Sequence, residues 1–224
     1  MTWDDVRHAI VEACNRLDEE NLVHASSGNV SVRLPKGADG RELFAITPSG
    51  VHYRVLRPEQ VLIVDADANV VDGDGVCKPS SERKVHFAAY AARPDVGAVI
   101  HSHSVYASAL AAAGQDLPPV IDEMIVAIGG AVQCAPYGMP ATPQLADSAI
   151  ALMGLRQAVL LRNHGVVGVG RDLDEALAVV DMVERTAQIY LLARLIGDVQ
   201  PIPDQVAQIE VKFFRMQHGL PQDE

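Results

Sequence analysis

Two hydrophobic periods alternate along the chain, and this alternation limits the folds open to it more than any other feature. Val6, Ile10, Ala13, Leu17 and Leu22 recur at helical spacing and predict an amphipathic helix over residues 3–21. Short apolar runs follow at 29–34, 43–46 and 61–64, separated by turn formers such as Lys36-Gly37 and Asp39-Gly40, which predicts antiparallel neighbours. After Pro79 the helical period returns, with Val85, Ala88, Ala89 and Ala92 on one face and a stop at Arg93-Pro94. A strand at 99–103 should lead into an alanine-rich helix at 105–113. A further helix is expected over 142–155, then strands at 158–162 and 166–169 and a long helix from 173 to 196 closed by Gly197. With no internal repeat, low-complexity stretch or linker, the order specifies one α/β domain over residues 1–224, its tail from about 198 less constrained.

Composition narrows the function. A chain of 224 residues, 49% hydrophobic, can bury one sizeable core. Its net charge of −11 argues against a nucleic-acid or anionic-membrane surface, both of which need clustered Lys and Arg. An anionic small molecule remains open if a metal, a helix terminus or an arginine supplies local positive potential. Cys14, Cys77 and Cys134 form no close pair, which fits a reducing cytoplasm better than a disulfide framework. The first residues read as an acidic amphipathic helix rather than a signal sequence, again pointing to the cytoplasm. Residues 124–146 carry no charge and are long enough to span a bilayer, but Gly129, Gly130, Pro136, Gly138, Pro140 and Pro143 would break such a helix, so buried strands and loops are expected there.

Three histidines form a close pair and a distant single: His101 and His103 in His-Ser-His, and His164 in Asn-His-Gly. Residues two apart on a strand share a face, so the pair can present two imidazoles to one point. A lone His-x-His is more often a hydrogen-bonded core pair than a metal site. Here, however, all three histidines follow apolar runs, at strand ends where α/β proteins place their chemistry. Three imidazoles with an exchangeable fourth position suit a catalytic metal.

Three small polar clusters also stand out: Ser26-Ser27-Gly28-Asn29-Val30-Ser31, Thr47-Pro48-Ser49-Gly50 and Pro79-Ser80-Ser81-Glu82. Each alone reads as a turn or helix cap. Together their hydroxyls, amide and glycine-flanked N–H groups can form an anion nest, with Ser80-Ser81 at a helix start. Such a nest binds phosphate without lysine.

The motif order Gly-Asn-Val-Ser, Thr-Pro-Ser-Gly, Pro-Ser-Ser-Glu, His-Ser-His and Asn-His-Gly resembles the class II aldolase and adducin family, particularly its L-fuculose-1-phosphate aldolase branch, over residues 5–197. The resemblance implies a three-layer α/β/α fold around a mixed, largely antiparallel sheet, and a homotetramer with sites between subunits. It implies zinc, or another divalent ion such as Mn2+, Fe2+ or Co2+, on Glu82, His101, His103 and His164, with Glu82 also the acid/base. The phosphate of a ketose 1-phosphate would rest on Gly28, Asn29, Ser49, Gly50, Ser80 and Ser81. Zinc would stabilise an enediolate as the carbon–carbon bond breaks into dihydroxyacetone phosphate and an aldehyde such as L-lactaldehyde. Lys78 and Lys84 are then not needed as Schiff-base nucleophiles. A 4-epimerase, a dehydratase or decarboxylase, or an adducin-head-like interaction module are the other activities of this superfamily.

The pattern departs from the branch in two places. Where fuculose-phosphate aldolases place a tyrosine, this chain has Glu123 beside Asp122, either an exposed acidic pair in a loop or a second catalytic carboxylate facing a neighbour's site. In the tail, Phe213-Phe214-Arg215-Met216-Gln217-His218 stands where relatives carry an aromatic hydroxyl, and His218 reads as an ordinary exposed histidine with only a weak claim on substrate.

Overall fold

The structure, a computed structural model, describes residues 2–222. The chain opens with helix α1 (Trp3–Glu19), started by a reciprocal cap in which Thr2 Oγ1 accepts from the Asp5 amide and Asp5 accepts from the Thr2 amide. Strands β1 (Asn29–Leu34), β2 (Leu43–Ile46), β3 (Leu62–Asp65) and β4 (Val70–Asp72) then form an antiparallel meander. Helix α2 (Arg83–Ala92) leads to β5 (Ala98–Ser102), which pairs with β1. Helices α3 (Val105–Ala113) and α4 (Asp122–Ile128), strand β6 (Cys134–Ala135) and helix α5 (Pro143–Met153) follow. The hairpin β7 (Ala158–Leu161) and β8 (Gly165–Gly170) precedes α6 (Leu173–Ile196) and α7 (Asp204–Gln217). The sheet order is β4-β3-β2-β1-β5-β8-β7-β6, antiparallel except for the β6–β7 pair.

Strand alternation sends side chains to two separate cores. On one face Val30, Ala45, Ile63 and Ile100 meet Ile10 and Leu17 of α1 and Leu177 and Val180 of α6. Leu160 and Val166 continue that face under α3, α4 and α6. On the other, Phe44, Ile46, Leu62, Val99, Val159 and Val167 pack against Val85 and Ala89 of α2 and Leu145 and Ala149 of α5. The architecture is therefore three-layer α/β/α, as the motif resemblance implied. Each fully buried Val, Leu or Ile contributes on the order of 1.5–3 kcal/mol, so either helical layer is firmly held.

The expected elements occur with shifts of a residue or two at their ends, while helices α4 and α7, the edge strand β4 and two short 3-10 turns at Tyr53–Val55 and Pro58–Gln60 occur where none was expected. Residues 122–128 are helical rather than a loop, and Asp122 and Glu123 form the first turn of α4, where the helix dipole favours acidic side chains. The uncharged 124–146 segment is accordingly part helix, with Met124, Ile125 and Ile128 buried, and part strand at β6. The edge strand β4 is exposed at all three residues, and its two valines make too short a run to stand out as a strand in the sequence. The tail folds as α7, whose buried residue is Phe214. No helix among the described residues is long and apolar enough to cross a membrane.

Candidate metal centre and phosphate cradle

The four candidate ligands arrive from three places. His101 is the penultimate residue of β5 and His103 lies one residue beyond its end. His164 sits in the three-residue turn between β7 and β8, which pair at Leu161 and Gly165. That turn explains the Asn-His-Gly sequence. Asn163 adopts a left-handed φ of 58°, a conformation in which Asn is among the least strained non-glycine residues. Gly165 is required because a Cβ there would lie 2.3 Å from the Ser102 carbonyl oxygen. The hairpin can thus press against β5 and bring His164 to His101. Glu82 is the N-cap residue of α2.

Their donor atoms converge. His103 Nε2 is 2.9 Å from His101 Nε2, which is 3.3 Å from His164 Nε2. Glu82 Oε2 lies 3.3 Å from His101 and Oε1 3.2 Å from His164. All four donors fall within 4.8 Å of one another. A tetrahedral ion with ligands at about 2.0–2.1 Å requires donors about 3.3 Å apart, and four of the six donor separations, at 2.9–3.3 Å, suit a small divalent ion. Tautomer chemistry agrees. His101 donates Nδ1–H to the Val166 carbonyl at 2.9 Å, leaving the Nε2 lone pair facing the cluster. Burial first, and the neighbouring histidines second, push His103 down to about 4, so its ring is neutral near pH 7. Burial tends to raise Glu82, whereas hydrogen bonds from His101 and His164, in the state where those rings carry a proton on Nε2, outweigh it and lower the carboxylate; with the rings as bare lone pairs a cation must take that place. Converging lone pairs and a carboxylate need a cation between them.

The three polar clusters meet beside this centre. Pro48 and Pro79 form an antiparallel bridge, the Ser49 amide donates to the Lys78 carbonyl (2.8 Å), and the Ser80 amide donates to the Thr47 carbonyl (3.1 Å). Thr47 in turn exchanges bonds with Val30, its amide donating to the carbonyl and its Oγ1 accepting from the amide. Asn29 stands opposite His101 across the β1–β5 ladder. Gly28, at a φ of 81°, admits no side chain: a Cβ would lie 2.7 Å from the His101 carbonyl oxygen. Ser49, Gly50 and Ser81 are exposed, while Ser80 is buried and accepts the Glu82 amide. Asn29 Oδ1 and His164 Nδ1 are buried with no partner among the described residues. The three polar clusters and the candidate metal ligands therefore share one end of the sheet.

The remaining candidates lie elsewhere. The exposed Glu123 pairs with Arg185 of α6 at 3.0 Å and is not among the four clustered ligands. His218 is not the exposed histidine expected: its Nδ1 bonds the Phe214 carbonyl (2.8 Å) and its Nε2 bonds Glu175 (2.9 Å) on α6. Lys78 and Lys84 are exposed, Lys84 lining a small cavity with Glu82, His101 and His164. Sequence reading missed Glu184, whose carboxylate accepts the Tyr106 and Ala107 amides and so caps α3 just after His103. A contact between residues 78 positions apart leaves no local sequence signal.

Comparison with known proteins places these motifs in a family. A 5-deoxy-D-ribulose 1-phosphate aldolase of Bacillus thuringiensis serovar kurstaki is 37% identical over 214 residues, covering 95% of this chain and 97% of its own. An L-fuculose phosphate aldolase of Escherichia coli is 33% identical over 95% of this chain and 96% of its own. A solved L-fuculose 1-phosphate aldolase superposes with a TM-score of 0.85 at 34% identity, covering 94% of this chain and 96% of that one. The family described as "Class II Aldolase and Adducin N-terminal domain" matches residues 8–191, and the chain belongs to that family.

Proposed function

We propose that the protein is a divalent-metal-dependent aldolase that reversibly cleaves a ketose 1-phosphate, such as L-fuculose 1-phosphate or a 5-deoxypentulose 1-phosphate, into dihydroxyacetone phosphate and a small aldehyde. The observation that carries this reading is the shared location of a cluster of one glutamate and three histidines and a serine- and glycine-bearing anion nest. An interaction module has no use for either. The substrate names come from relatives that are 33–37% identical along nearly the whole chain.

In this reading Glu82, His101, His103 and His164 hold zinc in a single cytoplasmic domain. Gly28, Asn29, Ser49, Gly50, Ser80 and Ser81 hold the phosphate, with backbone N–H groups and hydroxyls supplying the donors that the protein's negative charge does not. A divalent ion bound there supplies Lewis-acid stabilisation of the oxygen charge that develops as the carbon–carbon bond breaks. Glu82 protonates the carbon that becomes the hydroxymethyl group of dihydroxyacetone phosphate, and removes that proton in the synthetic direction. A carboxylate parted from its histidine and cation partners becomes more basic, which suits this role. Glu123, contributed by a neighbouring subunit, handles the aldehyde-side hydroxyl. A homotetramer is supported by the exposed stripe of Val206, Ile209, Phe213 and Met216 on α7, with Leu192, Leu195 and Ile196 exposed at the end of α6.

Incubating zinc-loaded protein with fuculose, rhamnulose and 5-deoxyribulose 1-phosphates, coupled to glycerol-phosphate dehydrogenase, tests the proposal. At least one substrate should release dihydroxyacetone phosphate, and Glu82→Gln should abolish release while sparing phosphate binding. Isomerised sugar phosphate without fragments would point to a 4-epimerase instead.

A further inference from the structure

A buried polar chain lies one helical turn beyond Glu82 and is not used by the mechanism above. His86 of α2 is fully buried, and its Nδ1 lies 2.7 Å from Ser31 Oγ, which lies 2.8 Å from the Tyr90 hydroxyl. His86 Nε2 is buried with no partner among the described residues. Three groups in an apolar layer have three protons to place. If Tyr90 donates to Ser31 and Ser31 donates to His86 Nδ1, one group alone is left without a partner, the His86 Nε2–H. The reverse direction strands both the Tyr90 hydroxyl proton and the Nε2 lone pair. The first assignment is therefore favoured, since each buried orphan costs about 1–3 kcal/mol.

The location of that orphan donor gives it a use. Four residues along a helix return to the same face, so His86 follows Glu82 on the sheet-facing side of α2. Ser31 is two residues after Asn29 on β1 and pairs with Val99, two residues before His101 on β5. Alternation puts Asn29, Ser31, Val99 and His101 on one face, so the imidazole bonded to Ser31 lies on the same face of the sheet as the cluster, near enough to feel the charges of His101 and Glu82. Burial first, and the proximity of His101 second, push His86 down to about 3, so the ring stays neutral near pH 7. In the present arrangement Glu82 is engaged with His101 and His164.

Resting on the aldolase reading, we infer that His86 is a positioning residue for Glu82. Its Nε2–H receives the carboxylate when Glu82 exchanges its histidine contacts for substrate, and the Tyr90–Ser31 chain fixes the tautomer that makes this possible. A charge-assisted hydrogen bond formed only in the reacting complex should appear in kcat rather than in KM.

The test combines spectroscopy and kinetics. In metal-free protein labelled with 15N-histidine, His86 should show the Nε2–H tautomer; the Nδ1–H tautomer would overturn the inference without reference to activity. In zinc-loaded protein His86→Phe should lower kcat roughly 10- to 100-fold, with KM within threefold and zinc stoichiometry unchanged. His86→Gln, which keeps an N–H donor, should recover part of the loss. Should His86→Phe fail to fold, Tyr90→Phe and Ser31→Ala keep the ring but release the tautomer, and each should lower kcat several-fold. With an active wild type, a kcat within twofold in these variants, or an equal loss of bound zinc, refutes the role of His86 alone. A wild type that cleaves no ketose phosphate refutes the aldolase reading and this inference with it.

Discussion

Replacing Gly28 with alanine should damage the site through its scaffold. The new Cβ would lie 2.7 Å from the His101 carbonyl oxygen and 2.9 Å from Val23 Cγ1. The first contact is about 0.7 Å short of an ordinary one. The oxygen belongs to backbone in the central β1–β5 pair and cannot rotate away, so the strand carrying His101 must move. The left-handed φ of 81° adds about 1–2 kcal/mol for any residue with a side chain. With about 1–3 kcal/mol for the overpacked contact, the expected loss is about 2–5 kcal/mol. Gly50→Ala is the internal control: its φ is 74°, but no atom lies within 4 Å of the added Cβ. It should lose only the conformational part, about 1–2 kcal/mol. Urea denaturation of the three proteins, with zinc stoichiometry measured alongside, reads both effects. Gly28→Ala should be clearly less stable than Gly50→Ala and bind zinc more weakly, whereas Gly50→Ala should raise KM for the phosphorylated substrate. Equal stabilities would refute the steric argument.

Other outcomes follow from single contacts. Glu123→Ala removes an exposed pair with Arg185, worth at most about 1 kcal/mol, so stability measured by thermal melts should be nearly unchanged while kcat falls. A silent Glu123→Ala with wild-type kcat would make the acidic pair structural. Arg171 and His218 outweigh the opposing effect of burial and hold Glu175 below its ordinary range. The stabilisation this gives is present above the unfolded carboxylate pKa of about 4.3 and is lost as pH falls through the lower folded value. Glu175→Gln should therefore flatten the acid limb of stability against pH, which a pH series of denaturation curves measures. Phe214→Ala removes the buried anchor of α7 that packs on Gly129, and should raise hydrogen exchange across residues 204–217 far more than across the sheet.

What the sequence made legible follows the range of the interactions. Helical period, turn residues and the His-Ser-His spacing are local, and the helices α1, α2, α3, α5 and α6 and the strands that carry the site all follow from them. Elements without a local signal do not. β6 and β4 are runs of two and three residues, too short for a period to show; α7 differs, since Val206, Ile209, Phe213 and Met216 do recur at helical spacing but face outward rather than into the core. The three histidines are legible from their spacing and strand-end positions, but Glu82 joins the ligand set through family resemblance alone, because residues 82, 101 and 164 meet only once the β7–β8 hairpin folds against β5. Partnerships such as Glu184 with the start of α3, His218 with Glu175 and Ser31 with His86 span 43 to 78 residues and depend wholly on tertiary packing.

The most direct test of a metal centre joined to a phosphate cradle is a zinc titration of dialysed, metal-free protein, with dihydroxyacetone phosphate release followed at saturating ketose 1-phosphate. Release should rise linearly and saturate at one zinc per chain, and His164→Ala should abolish that saturation. Release that is independent of added metal and unaffected by chelator, or none with any of the three sugar phosphates at full zinc occupancy, would contradict the proposed function.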